Sequence, residues 1–169
     1  MRAAAFLLPL ALAGCGLQPV YSGGRSGAVA QRLSGIDIAP IEGRAGWLVT
    51  NALRDRLGAM GEGAARYRLD VRLDDRIVGL GSRSDDSVAR ERRTLRARYQ
   101  LVDAAAGTVL LDTTAASDAG IDVVGSEYAV IAAESTALER LSETIADQIV
   151  ARLAVYARRQ PAPSGAETQ

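Results

Sequence analysis

The sequence predicts an α+β domain: a two-layer sandwich with two helices packed on one face of a four-stranded, mostly antiparallel sheet, in the order β-α-β-β-β-α. Three observations carry this expectation. Two segments place apolar residues at three- and four-residue steps, the mark of an amphipathic helix. Segments between them alternate apolar and polar residues with period two, as half-buried strands do. The chain has 169 residues, of which 48% are apolar but only 4% aromatic, so Ala, Leu and Val must fill the core of one ordinary domain. Two helix stripes and one apolar sheet face satisfy one another when stacked.

Ile36-Asp37-Ile38-Ala39-Pro40-Ile41 alternates and then meets a proline. It reads as a short strand near a sheet edge, with Pro40 as its terminator because proline cannot donate a ladder hydrogen bond. From Arg44 to Met60, Val49, Leu53, Leu57 and Met60 recur at helical spacing, with Trp47 and Ala52 beside them. This predicts a helix ending around Gly58 or Gly61, with Trp47 expected in the core. Tyr67, Leu69, Val71 and Leu73 then alternate with Arg66, Arg68, Asp70, Arg72 and Asp74, the clearest strand in the chain. Gly79 to Ser87 reads as a turn-rich loop.

A strand follows from about Ala89 to Val102, with Leu95, Ala97, Tyr99 and Leu101 on one face. Asp103 to Gly107 turns the chain, Gly107 being suited to a positive φ, and Thr108 to Ser117 returns as the second arm of a hairpin. Gly120 to Ser126 reads as an irregular bridge. The last element runs to about Arg158, with Ala137, Leu138, Leu141, Ile145, Ile149, Leu153 and Tyr156 as its stripe and Tyr128 expected to pack at its start. The helix between the first two strands permits them to be parallel.

The ends of the chain differ from this domain. Met1-Arg2 precedes an apolar run from Ala3 to Ala13, too short for a bilayer span, which needs roughly 20 residues. A basic start, a short apolar stretch and small residues describe a secretory signal. Leu12-Ala13-Gly14-Cys15 resembles the bacterial lipobox, which implies cleavage before Cys15 and acylation of that residue. Cys15 is the only cysteine, so no disulfide can form within the chain. Gly16 after it, by the same resemblance, favours sorting to the outer membrane. The expected organisation is therefore a signal peptide over 1–14, a lipidated and Gly/Ser-rich tether over 15–34, one domain over 35–158, and a disordered tail over 159–169.

Composition also excludes functions. There is no His, and the one Cys is assigned to lipid, so a Ser-His-Asp triad and Cys or His metal sites cannot be built. No phosphate-binding glycine loop ending in Lys and no dinucleotide fingerprint occur. No cofactor is implied. Net charge is zero, with 20 arginines, no lysine and 20 acids, so no overall field attracts nucleic acid. A carboxylate-pair hydrolase remains formally open, although no spacing singles out a pair.

The layout is similar to the LPS-assembly lipoprotein family, LptE, in its alphaproteobacterial form. The resemblance rests on Cys15-Gly16-Leu17-Gln18-Pro19-Val20-Tyr21, on Arg98-Tyr99-Gln100-Leu101-Val102-Asp103 with Gly107, and on Glu127-Tyr128-Ala129, Ala132-Ala133-Glu134, Ala137, Arg140 and Arg152-Leu153. It spans nearly the whole mature chain, and its specificity lies in the order of short motifs. It implies a non-enzymatic protein, held to the outer membrane by lipid on the periplasmic side. Such a protein plugs and helps assemble an LptD-type β-barrel and takes part in lipopolysaccharide transport. A periplasmic lipoprotein adaptor of another envelope machine is the alternative in the binding class.

One cluster stands out. From Ala89 to Arg98 five arginines accompany one acid, Glu91. Alternation puts Arg90, Arg92, Arg96 and Arg98 on one strand face, successive members roughly 6.6 Å apart. Guanidinium forks bind phosphate and carboxylate bidentately. Three readings follow: a solvated face paired with Asp70 and Asp74 of the neighbouring strand, a contact with a polar barrel lumen, and a contact with the phosphates of lipopolysaccharide. They rank in that order, and the last two can coexist.

Overall fold

A computed structural model describes residues 33, 35–59, 64–82, 88–123 and 125–159. The expected signal peptide, Cys15, the tether apart from Leu33 and the tail beyond Arg159 lie outside the described residues; Leu33, expected in the flexible tether, is instead buried in the core, and Arg159 closes the last helix. The order is β1 (Ile36–Ile38), α1 (Gly43–Gly58), β2 (Tyr67–Ser82), β3 (Val88–Asp103), β4 (Val109–Asp122) and α2 (Glu127–Arg159). The four strands form one open sheet in the order β1-β2-β3-β4. β1 and β2 are parallel, and β2, β3 and β4 are antiparallel neighbours. The α+β expectation and its element order hold.

Period two decides which face is covered. Leu69 and Val71 of β2, Leu95, Ala97, Tyr99 and Leu101 of β3, and Ala115 of β4 point to the helices and are buried. Against them lie Val49, Ala52, Leu53 and Leu57 of α1 and an eleven-residue stripe of α2 that includes Leu138, Leu141, Ile145, Ile149 and Leu153. Arg44 donates to Ser135 Oγ at 2.5 Å and Arg56 Nε to Asp147 Oδ1 at 2.5 Å. Both pairs are 91 residues apart, so the two helices run side by side in the same direction. Gly46 is buried where α1 meets the β1–α1 connection, and a Cβ there would strike the carbonyl of Ile41. Glycine at this position is what lets the helix close down on that turn.

Several boundaries differ from the sequence reading. β2 does not stop near Asp74 but continues to Ser82, and β4 continues to Asp122, through the segments expected to be loop and bridge. The long ladders pair Gly79 with Glu91 and Gly120 with Arg92, so tertiary pairing overrides local turn preference. β1 is shorter than Ile36–Ile41: its ladder ends with Ala39 N donating to Leu69 O at 3.0 Å, and Pro40 follows. In the β3–β4 turn, Asp103 Oδ1 accepts from the backbone of Ala105 and Ala106, and Gly107 has φ 68°. This is the Asx-type turn with left-handed glycine that the sequence predicts.

Two aromatic expectations fail. Trp47 is 64% exposed, because the buried stripe of α1 passes through Gly46, Val49 and Leu53 and leaves position 47 outside it. Tyr128 is 87% exposed. The buried stripe of α2 begins only at Ala137, and Arg44 in the first turn of α1 already contacts Ser135, so the first turns of α2 extend past its neighbour.

Candidate functional site

The sheet face away from the helices carries the even-numbered residues of β2, β3 and β4. It bears seven arginines (Arg68, Arg72, Arg76, Arg90, Arg92, Arg96 and Arg98) against five aspartates (Asp70, Asp74, Asp112, Asp118 and Asp122). The structure thus keeps all four arginines of the predicted stripe on one face, and all four are exposed. Arg93, from the same run, lies on the opposite face. There its guanidinium donates to both oxygens of Asp75, at 2.9 and 2.6 Å, and to the carbonyl of Glu134 at 2.8 Å, tying the sheet to α2.

The partners of the stripe are not those expected. Asp70 is held by Arg68 through both oxygens, at 2.9 and 3.0 Å, and Asp74 by Arg76 at 2.9 Å, each within its own strand. The stripe is paired from the other side, by β4: Arg90 with Asp122 at 2.9 Å, Arg98 with Asp112 at 2.9 Å, and Arg92 with Asp118 at 3.9 Å. Same-face neighbours on β2 are only roughly 6.6 Å apart, so its aspartates are satisfied locally. The β4 aspartates have no arginine on their own strand and reach across. Asp112 also accepts from Gln100 Nε2 at 2.8 Å. Hydrogen bonds from Arg98 and then Gln100 hold the Asp112 carboxyl down at about 2, and the same contact raises Arg98 further above its ordinary value.

All five aspartates of this face are thereby engaged. Arg72 and Arg96 remain, and neither makes a hydrogen bond or ion pair with the described residues. They are close together: Arg72 stands opposite Arg98 in the β2–β3 register and Arg96 is two positions along, at a diagonal. Such diagonal neighbours lie roughly 7–8 Å apart, within reach of long side chains. The centre of the face therefore presents two guanidinium groups with unused donors, beside a third committed to Asp112. Guanidinium groups so placed have the chemistry to take a phosphate or carboxylate. The sequence reading included Arg96 but missed Arg72. The signal for Arg72 was its place on the charged side of the alternating run Arg68-Leu-Asp-Val-Arg-Leu-Asp74.

At one end of this face a groove of about 790 Å³ runs between the β1–α1 connection (Ala39, Pro40, Ile41, Glu42) and β2. Arg72 and Arg98 line it. Its two acids are Glu42 and Asp70, and Asp70 spends both oxygens on Arg68. Among the described residues no helix is long and apolar enough to cross a membrane.

Comparison with known proteins adds the decisive observation: residues 33–153 match the family model of LptE, described as lipopolysaccharide-assembly. The chain belongs to the LptE family. Solved structures agree with the LptE fold. A lipoprotein from Caulobacter crescentus CB15 is 26% identical, with a TM-score of 0.65, over 81% of this chain and 100% of the other. A minor lipoprotein from Acinetobacter baumannii is 14% identical, with a TM-score of 0.60, over 75% and 97%. The rare lipoprotein B from Shewanella oneidensis is 12% identical, with a TM-score of 0.58, over 72% and 92%. The last two speak for the fold alone. Among curated protein sequences none gives a significant match. The LptE family is a non-enzymatic component of lipopolysaccharide assembly.

Proposed function

We propose that this protein is an outer-membrane lipoprotein, acylated at Cys15, that plugs and helps assemble an LptD-type barrel and contacts lipopolysaccharide in transit. The observation that carries this reading is the LptE match across residues 33–153, essentially the whole described domain. The lipobox-like Leu12-Ala13-Gly14-Cys15 and the lipoprotein from Caulobacter crescentus support the anchor. The role is non-catalytic. The groove offers no free pair of carboxylates, since Asp70 is bound by Arg68.

Within this reading the uncovered face does the contacting. Ion pairs tie down Arg90, Arg92 and Arg98, whereas Arg96 and Arg72 have donors to give. A lipid A phosphate at Arg72 and Arg96 gains charge-assisted hydrogen bonds without first breaking an ion pair. The polar lumen of a barrel can take up the remainder of the face.

The test is purification of the tagged full-length protein in mild detergent, from cells carrying either the native sequence or Arg96→Glu with Arg72→Glu. An LptD-type barrel should co-purify with the native protein, and lipopolysaccharide retention should fall at least tenfold in the double variant. Native protein emerging without a barrel would overturn the plug. Undiminished lipopolysaccharide retention in a folded double variant would overturn the arginine contact. Mass spectrometry of the mature protein should find acyl chains on Cys15, and Cys15→Ala should abolish them.

A further inference from the structure

β2 is sixteen residues long, but β1 covers only its first three positions. Tyr67 N donates to Gly35 O at 3.1 Å, and Leu69 O accepts from Ala39 N at 3.0 Å. The odd-numbered residues of β2 therefore direct their N–H and C=O groups to the β1 side, while Arg66 O turns the other way to accept from Ala104 N. Pro40 has no N–H and ends the β1 ladder. Beyond it the odd positions Val71, Leu73, Asp75 and Ile77 present their backbone groups at an open edge, with no strand of this chain beside them among the described residues. That edge is roughly 20 Å long at ~3.3 Å per residue. An open ladder of this length is a template for an added strand.

The surroundings of the edge specify what that strand carries. On the helix side it meets Ile41 and Leu73, both packed on the core, then Asp75, whose charge is held by Arg93, and then Ile77, which is 41% exposed. On the opposite side it meets Arg72, which is opposite Arg98 in the ladder and makes no ion pair with the described residues. The groove of about 790 Å³ between Ala39–Glu42 and Asp70–Leu73 lies at this spot. We propose that the open edge of β2 beyond Pro40 binds an extended segment of a partner polypeptide, apolar on one side and acidic on the other, with a carboxylate set against Arg72.

A second copy of this chain fits less well. Antiparallel pairing of β2 with itself about Leu73 would set Arg72 against Asp74 of the partner subunit. In this chain Asp74 is already held by Arg76 at 2.9 Å, so self-pairing brings Arg72 no uncommitted carboxylate. The alternating charges Arg68, Asp70, Arg72, Asp74 and Arg76 also discourage unselective edge pairing. This inference does not depend on which envelope machine the protein serves; a strand carboxylate and a phosphate would compete for Arg72, and Arg96, away from the edge, stays free for phosphate.

The test uses the full lipoprotein in mild detergent and three labelled probe peptides: Thr-Val-Glu-Val-Glu-Val-Thr, the same peptide with Lys for Glu, and the Glu peptide N-methylated at alternate amides. Fluorescence anisotropy should show the Glu peptide binding at least tenfold more tightly than the Lys peptide, and the methylated peptide not binding. Arg72→Glu should reverse the preference, and Arg72→Gln should abolish it. Hydrogen exchange should slow across residues 71–77 when the Glu peptide binds. Equal binding of the Glu and Lys peptides, an unchanged preference in Arg72→Glu, or no slowing across 71–77 would each overturn the proposal. So would light scattering that finds a dimer dissociated by Arg72→Glu.

Discussion

Arg93 and Arg96 sit three residues apart in one arginine run, and the structure gives them opposite consequences. Arg93 makes three hydrogen bonds, two to Asp75 and one to the carbonyl of Glu134, and only 12% of its side chain and 26% of that of Asp75 are exposed. Hydrogen bonds to charged groups contribute about 1.5–3 kcal/mol each when sheltered, but Asp75 keeps some water, so truncating Arg93 to Ala should cost about 2 kcal/mol in all. For a domain of this size that is a fall in Tm of about 8 °C. Arg96 is exposed and makes no described contact, so Arg96→Ala should change stability by no more than about 0.5 kcal/mol. Thermal unfolding followed by far-UV circular dichroism measures both. Asp75→Ala and the Arg93→Ala/Asp75→Ala double variant close the cycle, and the double variant should lose less than the sum of the singles. If Arg96→Ala costs as much as Arg93→Ala, or if the cycle is additive, the division of this run into a structural and a ligand-facing side is wrong.

Further outcomes follow from the core, the glycines and the open face. Ile149 is fully buried between α2 and the sheet, and Ile149→Ala should cost about 3 kcal/mol in chemical denaturation. Gly46→Ala should destabilise by more than about 1 kcal/mol, because its Cβ meets the Ile41 backbone and α1 must move. Gly58→Ala, with nothing within 4 Å of the new methyl, should be neutral or stabilising by up to about 1 kcal/mol, and the two midpoints measured together separate packing from backbone entropy. Asp112 titrates at about 2 in the folded protein, below the unfolded value of about 3.9. Its folded-state pKa is depressed, so its contribution is fully present above about pH 4 and is lost as pH falls through about 2. Carbon-detected NMR titration of the Asp112 carboxyl should give that midpoint, and Arg98→Gln should move it upward.

The sequence by itself determined the alternation and the stripes. Leu69 and Val71, Leu95 to Leu101, and the α2 series from Leu138 to Leu153 identify strands, helices and their inner faces, because side-chain direction follows from the local period alone. The same rule separated Arg93 from Arg90, Arg92, Arg96 and Arg98, and Asp103 with Gly107 announced its turn because both act through local backbone geometry. What the sequence could not supply is anything set by distance across strands. Which aspartate holds which arginine depended on β4 lying beside β3 in a particular register, and so did the identity of the two arginines left over. The extension of β2 through Gly79 to Ser82, against its local turn preference, was decided by the partner strand. Trp47 and Tyr128 were misplaced because burial depends on which neighbour reaches a residue: the close contact of Gly46 with Ile41 sets how α1 sits on the sheet, and α1 begins too late to shelter Tyr128. Periodicity fixes which way a side chain points, and only packing fixes what it meets there.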